Sequence, residues 1–272
     1  MKASCNGSGD QASQREATPR SRARARAGRP LLALAAAASS ALTLTLAGGR
    51  VGAQDTAAPA ATPTPAQLAR GEDLYKLCGY CHGAAGTGEA PRDMGNSALR
   101  DSQLRAPGIA GLQQWYLAKQ IRGFRNGERG SHPDDFGGMR MGPMAITLQS
   151  EEDIDAVAAY IASMPPSKPQ RTLSEGDPAS GAGSFGVCVS CHGPNAKGVA
   201  DPSLAQPGLP AAPSLLHQGD WYLAAQLRKF RAGVRGSDVP GSPAQMMQTF
   251  SMTLPTDEDV LNVVAYISTL SQ

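Results

Sequence analysis

Apolar residues recur with a helical period at several places along the chain. The clearest pattern predicts a helix from about Glu151 to Ser163, in which apolar side chains return every three or four positions. Ser150 and Asp153 resemble a capping box at its start, where two side chains satisfy free amide groups. The predicted apolar face consists of Ile154, Val157, Ala158, Ile161 and Met164.

The same pattern returns near the C-terminus and, more briefly, in the middle of each half of the chain. A C-terminal helix is predicted behind Thr256 and Asp259, and one further helix is predicted before each of two cysteine pairs. No convincing run of alternating strand residues occurs, so we predict an all-α protein in which these stripes pack as cores. The stripes are Val260, Val263, Val264, Ile267 and Leu270 at the C-terminus, Leu117, Ile121 and Phe124 in the first half, and Leu223, Leu227 and Phe230 in the second.

The two halves of the chain resemble each other. The segment Trp115–Ala118 recurs as Trp221–Ala224, an offset of 106 residues. The two Cys-x-x-Cys-His segments are instead offset by 110, so the loop after the first one is four residues longer. Self-similarity of this kind indicates two homologous domains of roughly 100 residues each. The 106-residue offset also relates Phe124-Arg125 to Phe230-Arg231, Arg129-Gly130-Ser131 to Arg235-Gly236-Ser237, Thr147-Leu148 to Thr253-Leu254 and Tyr160-Ile161 to Tyr266-Ile267.

Composition sets the boundaries of these domains. Residues 54–66 are rich in Ala, Pro and Thr and are predicted to form a tether. Residues 165–177 begin with two prolines and are predicted to be the linker between the domains. The first domain then covers residues 67–164 and the second covers residues 178–272.

The N-terminus has the pattern of a secretory signal peptide. Six arginines lie from Arg15 to Arg29, an apolar run follows from Leu31 to about Ala47, and small residues precede Gln54. The alternative is an uncleaved membrane anchor, but the run is short for the ~20 residues that a span requires. We therefore predict that residues 1–53 are a signal peptide and that the protein is exported.

Charge and composition limit the kinds of partner that the protein can bind and indicate how its small domains are stabilised. The formal net charge is +2, but the leader holds eight of the 25 basic residues and two of the 23 acidic ones, so its removal leaves about −4. That balance argues against a nucleic-acid partner. Aromatic residues make up only 5% of the chain, and small domains with thin cores usually need a disulfide, a metal or a cofactor.

The Cys-x-x-Cys-His pattern of covalent haem c attachment occurs twice, at residues 78–82 and 188–192. Two cysteines three residues apart lie on one face of a helical turn, so both thiols can reach the vinyl groups of one porphyrin. The histidine that follows would then ligate the iron. We predict two haem c cofactors, attached through Cys78, Cys81, Cys188 and Cys191 and ligated by His82 and His192.

Other roles of a Cys-x-x-Cys motif fit less well. A thioredoxin-type redox pair expects a βαβ setting, which the hydrophobic pattern lacks, and a zinc ribbon expects its cysteine pairs ~15–20 residues apart. A structural disulfide within each motif would leave both histidines unexplained. The fifth cysteine, Cys5, lies in the predicted leader.

The repeat also selects a candidate for the second axial ligand of each iron. Only Met141 is related by the 106-residue offset to another methionine, Met247. If both domains bind haem alike, these two residues are the distal ligands, and each iron is six-coordinate and closed to substrates. The remaining candidates are assigned to packing or to loops: Met139, Met144 and His132 in the first domain, and Met246, Met252 and His217 in the second.

These features together resemble class I cytochromes c, and among them the two-domain, di-haem c4 type. The resemblance covers residues 67–272 and depends on both haem motifs, the segments 141–148 and 247–254, and the Trp-Tyr helix. It implies two tandem class I domains, each wrapped around one covalent haem. It also implies that the carbonyl groups of Pro107 and Pro213 support the two proximal histidines, the alternative being that both are ordinary loop prolines.

The resemblance further implies a periplasmic di-haem carrier that transfers single electrons in a respiratory chain, and not an enzyme. Any association with the membrane would be peripheral. Its donor would be a quinol-oxidising complex or a dehydrogenase, and its acceptor would be a terminal oxidase. One alternative is a cytochrome subunit of an oxidoreductase or oxidase complex. A di-haem peroxidase-type enzyme or a ligand sensor is less compatible with the pattern, because both require an iron with an open coordination position.

Overall fold

Two helical domains follow one another along the chain. The computed structural model describes residues 62–88, 105–169, 171–237 and 239–271, which all belong to one unit beginning at Gly52. Every regular element in these ranges is a helix, as the hydrophobic pattern predicts. The first domain contains α1 (Pro65–His82), α2 (Gln114–Arg125), α3 (Phe136–Met139), α4 (Met141–Ile146) and α5 (Glu151–Ser163). The second contains α6 (Pro178–Ser184), α7 (Val189–His192), α8 (Asp220–Arg231), α9 (Pro243–Ser251) and α10 (Asp257–Leu270), with 3₁₀ turns at Phe185–Cys188 and Pro202–Leu204.

The predicted leader, residues 1–53, and most of the predicted tether lie outside the described residues, as do residues 89–104 of the first loop. The chain is helical from Pro65, because the hydroxyl of Thr64 accepts a hydrogen bond from the amide of Gln67 at 3.2 Å. Within the ranges described, no helix is long and apolar enough to cross a membrane.

Side-chain caps fix the start of the last helix in each domain. In α5, the hydroxyl of Ser150 accepts a hydrogen bond from the amide of Asp153 at 3.1 Å. In α10, Thr256 and Asp259 bond reciprocally, with amide-to-side-chain distances of 3.1 and 3.0 Å. Three acidic residues in the first turn of each helix also interact favourably with the helix dipole. Both helices therefore begin where the sequence predicts.

A glycine lets the first and last helices of each domain cross at close range. In the first domain α1 lies on α5 at Gly71, where an added Cβ would overlap the carbonyl oxygen of Ala156. In the second domain α6 lies on α10 at Gly181, where an added Cβ would overlap the carbonyl oxygen of Asn262. Any larger residue would force the two helices apart at either point.

An aromatic pair packs beside each crossing. The rings of Tyr75 and Tyr160 are 5.6 Å apart between centroids, and those of Phe185 and Tyr266 are 5.4 Å apart. Tyr75 and Phe185 are 4% and 2% exposed, so these residues form the centre of each core. The hydroxyl of Tyr75 also donates to the carbonyl oxygen of Gly83 at 2.6 Å, which fixes the end of α1 against the core.

The segment before the second haem motif is less regular than the one before the first. The first motif lies within α1, whereas its counterpart is divided into α6, a 3₁₀ turn and α7. Glycine has a low helix propensity, and this second segment contains Gly181, Gly183 and Gly186. The predicted helix before each cysteine pair is therefore present, but it is interrupted in the second domain.

The middle helices close each domain against its last helix. An ion pair joins Arg122 of α2 to Asp155 of α5 at 2.7 Å, and another joins Arg228 of α8 to Asp257 of α10 at 2.6 Å. The inward faces of these helices are apolar, as the sequence predicts, and their buried residues include Leu117, Phe124, Leu223 and Phe230.

The segment predicted to be a linker is fixed to the second domain. Asp220, only 3% exposed, accepts hydrogen bonds from the amide groups of Thr172 and Leu173 at 2.6 and 2.7 Å. Ser167 and His217 exchange two further bonds: the serine hydroxyl donates to the histidine carbonyl at 2.6 Å, and the histidine Nδ1 donates to the serine carbonyl at 3.0 Å. The connection is thus a structured part of the fold.

Gly181→Ala is expected to lower the free energy of unfolding by about 1–3 kcal/mol or more, because its methyl group overlaps the α10 backbone. Gly183→Ala in the same helix is the matched control, since an added Cβ there meets nothing within 4 Å. The control should be neutral or stabilise by up to about 1 kcal/mol through helix propensity. Urea unfolding of the two holoprotein variants, followed by circular dichroism, measures both changes in the free energy of unfolding. Equal changes in the two variants would contradict the close crossing of α6 and α10.

Candidate haem-binding site

Both Cys-x-x-Cys-His motifs lie at the end of a helix. The residue after each motif, Gly83 or Gly193, has a φ angle of 80° or 74°, which glycine adopts without strain. Their amides donate to the carbonyl oxygens of Gly79 and Val189, each at 2.9 Å. The chain therefore turns sharply after His82 in α1 and at the corresponding end of α7.

The four thiols of the motifs are free. Burial raises the pKa of Cys78 and of Cys188 to about 11, so both are protonated thiols near neutral pH. Cys81 is exposed, and Cys191 is half-buried. Both sulfurs of each motif are therefore available for covalent attachment of a haem.

Each motif histidine is buried and held by a proline carbonyl. The Nδ1 of His82 lies 2.8 Å from the carbonyl oxygen of Pro107, and the Nδ1 of His192 lies 2.8 Å from that of Pro213. Because a carbonyl can only accept, each Nδ1 carries the proton and donates it. The Nε2 atom of each ring is then the free ligand nitrogen.

The environment of the two histidines suits a metal ligand. Burial lowers the pKa of both imidazoles, and the hydrogen bond to the proline carbonyl opposes this effect. Both rings are therefore neutral at pH 7, as iron ligation requires. The Nε2 of His192 is buried without a hydrogen-bond partner, an arrangement that is costly unless the atom binds something.

One cavity of about 470 Å³ lies between the two domains and is lined by both motifs. Cys78 and His82 reach it from the first domain, and the pair Cys188 and Cys191 reaches it with His192 from the second. Its wall is mostly apolar, as cofactor sites usually are. The two predicted haem sites therefore share one space.

Four of the six candidate methionines line this cavity. Met141 is the first residue of α4, and Met247 lies in α9. Both line the cavity, and so do Met144 and Met246, whereas Met139 and Met252 do not. The cavity thus narrows the candidates in each domain to two neighbours. The choice of Met141 and Met247 depends on the repeat and stays a prediction.

The two other candidate histidines bond elsewhere. His132 accepts a hydrogen bond from the amide of Asp134 at 3.1 Å through Nδ1. His217 uses its own Nδ1 for the bond to Ser167. Neither residue is part of the cavity lining.

Two arginines related by the 106-residue offset meet at the domain interface and line the cavity. Arg129 donates to the hydroxyl of Tyr222 at 2.8 Å and to the side chain of Gln226 at 3.3 Å. Arg235 donates to Gln120 at 3.0 Å and to Gln226 at 2.7 Å. The repeat relates these residues in the sequence, but nothing in it indicates that the two copies face each other.

The positive charge of this cluster is only partly compensated. Loss of water lowers the pKa of Arg235, and the neighbouring Arg129 lowers it further. Burial opposes the ionisation of Tyr222, yet the two arginines outweigh it and lower its pKa. The Nε of Arg129 is buried without a hydrogen-bond partner. An anionic group fits this position, and haem carries two propionates.

The residues present therefore fit one haem in each domain. Each domain offers two free thiols, a neutral imidazole with an available Nε2, and apolar walls, and the two share a cluster of cationic donors. One haem would be held by Cys78, Cys81 and His82, and the other by Cys188, Cys191 and His192.

One ion pair joins α8 to the segment that precedes Met141. The Nζ of Lys229 lies 2.5 Å from Oδ1 of Asp135, which is 3% exposed and also accepts from the amide of Gly138 at 2.9 Å. Burial acts to raise the pKa of Asp135, but Lys229 outweighs it and holds that pKa below its ordinary value. Since Asp135 caps α3, the second domain supports the segment of the first that leads into Met141.

Both halves of the chain match known proteins. The family model described as Cytochrome c matches residues 68–165 and 179–271. A thiosulfate dehydrogenase electron acceptor from Stutzerimonas stutzeri (strain A1501) is 30% identical over 227 residues, which cover 76% of this chain and 89% of that protein. Cytochrome c4 from Azotobacter vinelandii is 29% identical over 214 residues, which cover 74% of this chain and 88% of that protein. The crystal structure of reduced recombinant cytochrome c4 from Pseudomonas stutzeri matches with a TM-score of 0.50 at 26% identity, over 74% of this chain and 97% of that one.

Lys229→Leu is expected to lower the free energy of unfolding at pH 7 by about 1–3 kcal/mol, because it leaves the buried Asp135 carboxylate without its charged partner. The wild-type pair stabilises the protein above the unfolded pKa of Asp, about 3.9, and loses this contribution as the pH falls through the lower folded pKa. In the variant, burial raises the pKa of Asp135. The deficit should therefore begin to shrink as the pH falls through the raised pKa of Asp135 in the variant, and it should go on shrinking until the wild-type carboxylate is protonated as well.

Lys76→Leu is the control for this measurement. Lys76 lies 2.8 Å from Asp73, but both side chains are exposed, so its loss should leave the stability nearly unchanged. Urea titrations of the two holoproteins between about pH 3 and pH 7 make the comparison. A Lys229→Leu deficit that does not vary with pH would rule out the carboxylate as its cause.

Proposed function

This chain belongs to the cytochrome c family, as two tandem domains with two covalent haem c groups, and from that premise we propose that it is a periplasmic carrier of single electrons in a respiratory chain. The observation that carries the proposal is the shared cavity. Both haem motifs open into one space between the domains, so two redox centres can exchange electrons within one molecule. A chain with this arrangement can accept an electron in one domain and release it from the other.

When bound, haem supplies a one-electron iron couple. Each pair of cysteines fixes the group covalently, and His82 and His192 each present a neutral Nε2. The proline carbonyls hold the Nδ1 protons and the ring orientations. If Met141 and Met247 are the second ligands of the two irons, no coordination position would remain for a substrate. A closed site of this kind suits electron transfer better than catalysis.

We propose that residues 1–53 direct export and that the mature protein meets its partners in the periplasm. Its donor would be a quinol-oxidising complex or a dehydrogenase, and its acceptor a terminal oxidase. The formal charge of about −4 after loss of the leader suits contact with basic patches on those proteins and not with nucleic acid.

A second candidate is a narrower form of the same function. The relative that is 30% identical is described as a thiosulfate dehydrogenase electron acceptor, which makes a thiosulfate dehydrogenase a candidate donor for this chain. Mixing the oxidised protein with thiosulfate and such an enzyme should then reduce both haems, whereas thiosulfate alone should not. No reduction in the complete mixture would eliminate this donor and leave the general carrier proposal standing.

The experiment that tests the carrier function is a redox titration of the mature protein combined with haem quantification. Two haems per chain, two one-electron steps and no binding of carbon monoxide in the reduced state are expected. Binding of carbon monoxide to the unmodified protein would indicate an open iron and would favour a peroxidase-type enzyme or a sensor instead. Co-purification with a catalytic subunit would favour the alternative of a dedicated cytochrome subunit.

Met141→Ala and Met247→Ala test the distal ligands. Each variant should keep both haems covalently attached but make one iron reactive towards carbon monoxide, because one axial position has lost its side chain. Each should also lower the potential of one haem only. Met252→Ala is the control, since Met252 is 63% exposed. Unchanged spectra in Met141→Ala or Met247→Ala would refute the assignment for that domain.

A further inference from the structure

Two glutamines reach across the domain interface to the loops that support the motif histidines. Gln113, just before α2, accepts a hydrogen bond through Oε1 from the amide of Ser214 at 3.1 Å, and its Nε2 donates to the carbonyl oxygen of Lys197 at 3.0 Å. In the opposite direction, Gln218 donates to the carbonyl oxygen of Gly108 at 2.8 Å and is only 8% exposed. Each domain therefore contacts the proline loop of the other.

The bond from Gln113 falls on the peptide group that supports His192. The carbonyl of Pro213 and the amide of Ser214 belong to one peptide group. Its carbonyl accepts from the Nδ1 of His192 at 2.8 Å, while its amide donates to Gln113. Hydrogen bonds at the two ends of a peptide group polarise one another. The hydrogen bond that the Ser214 amide donates to Gln113 therefore makes the Pro213 carbonyl a stronger acceptor.

A stronger acceptor makes the imidazole of His192 a more basic ligand. It draws the Nδ1 proton of His192 away from the ring, which increases the electron density at Nε2 and the basicity of the ligand. A more basic ligand stabilises oxidised iron relative to reduced iron, and the reduction potential falls. Gln113 is thereby linked to the second iron through one peptide group and one imidazole.

Gln218 acts one peptide bond farther along the chain. It bonds to the carbonyl of Gly108, whereas His82 bonds to the carbonyl of Pro107. Gln218 therefore holds the loop in place without polarising the carbonyl that accepts from the histidine. Its influence on the first haem should be weaker than that of Gln113 on the second.

Each loop is also braced within its own domain, so the bond across the interface acts on a rigid element. The amides of Gly88 and Gly198 donate to the carbonyl oxygens of His82 and His192 at 2.9 and 2.8 Å. An added Cβ on Gly88 would overlap the Pro107 loop, and one on Gly198 would overlap the corresponding loop of the second domain. Loss of a glutamine should therefore change the hydrogen bond to the histidine without unfolding the loop.

We propose that Gln113 is a positioning residue through which the first domain lowers the reduction potential of the haem in the second, and that Gln218 is its weaker counterpart in the opposite direction. The inference rests on the assignment of His82 and His192 as iron ligands. It does not follow from the repeat, because the 106-residue offset relates Gln113 to Gly219 and Gln218 to Leu112.

Gln113→Leu and Gln218→Leu test the proposal in the holoprotein, each variant serving as the control for the other. Gln113→Leu should raise the potential of the second haem, changing its reduction equilibrium about two- to tenfold, and leave the first haem unchanged. Gln218→Leu should change the potential of the first haem by less, because Gln218 does not polarise the carbonyl that accepts from His82, and it should leave the second haem unchanged. Leucine is chosen because a new methionine in this position could ligate iron. Met141→Ala and Met247→Ala assign each potential to its domain.

Proton exchange gives a second readout. In Gln113→Leu the Nδ1 proton of His192 should exchange faster with solvent, as seen by nuclear magnetic resonance, while that of His82 should not change. If both potentials move together in both variants, the glutamines act only by docking the domains, and the inference fails. It also fails if neither potential moves. An unmodified protein without two haem-centred steps would overturn the proposed function itself.

Discussion

The close crossing of the first and last helices in each domain is the constraint on which the rest of the structure depends. Gly71 and Gly181 allow the helix backbones to approach so closely that one end of each helical segment is fixed against the core. The other end carries the haem motif. The hydroxyl of Tyr75 secures this end in the first domain by bonding to Gly83, the residue that follows His82. The direction in which the motif faces is thus set by packing some distance away from it, and residues of α2, α4, α8 and α9 line the cavity in front of the two motifs.

That cavity explains how such a thin core forms a stable domain. The buried residues of each domain form one small cluster, and a space of about 470 Å³ lies between the domains and is lined by apolar side chains from both. One covalently attached haem in each domain completes the core of that domain, because it supplies apolar area that the side chains lack. The two arginines that line the cavity, Arg129 and Arg235, are also stabilised by a bound cofactor. Their charge is costly in an apolar interface and is offset when an acidic group of the cofactor lies beside them.

The sequence predicts the local features of this fold well, because they depend on neighbouring residues. The start of α5 at Ser150, the start of α10 at Thr256 and the division into two copies all follow from periodicity, capping and self-comparison. The relation between the copies is a different matter. An offset shows that Arg129 and Arg235 are equivalent, but not that they meet. Gln113 and Gln218 have no equivalents at all, so self-comparison passes over the two residues that bridge the proline loops.

The asymmetry of the interface gives the two haem sites different surroundings even though the domains are copies. Asp135 and Lys229 support the segment before Met141, while glycines, Gly241 and Gly123, occupy the equivalent positions. On the proximal side, Gln113 bonds to the peptide group that holds His192, whereas no such bond reaches the carbonyl that holds His82 among the contacts described. Ligands of the same type in unlike surroundings have unlike potentials. A difference between two centres that share one cavity favours the presence of an electron on one of them, and so gives the transfer within the molecule a direction.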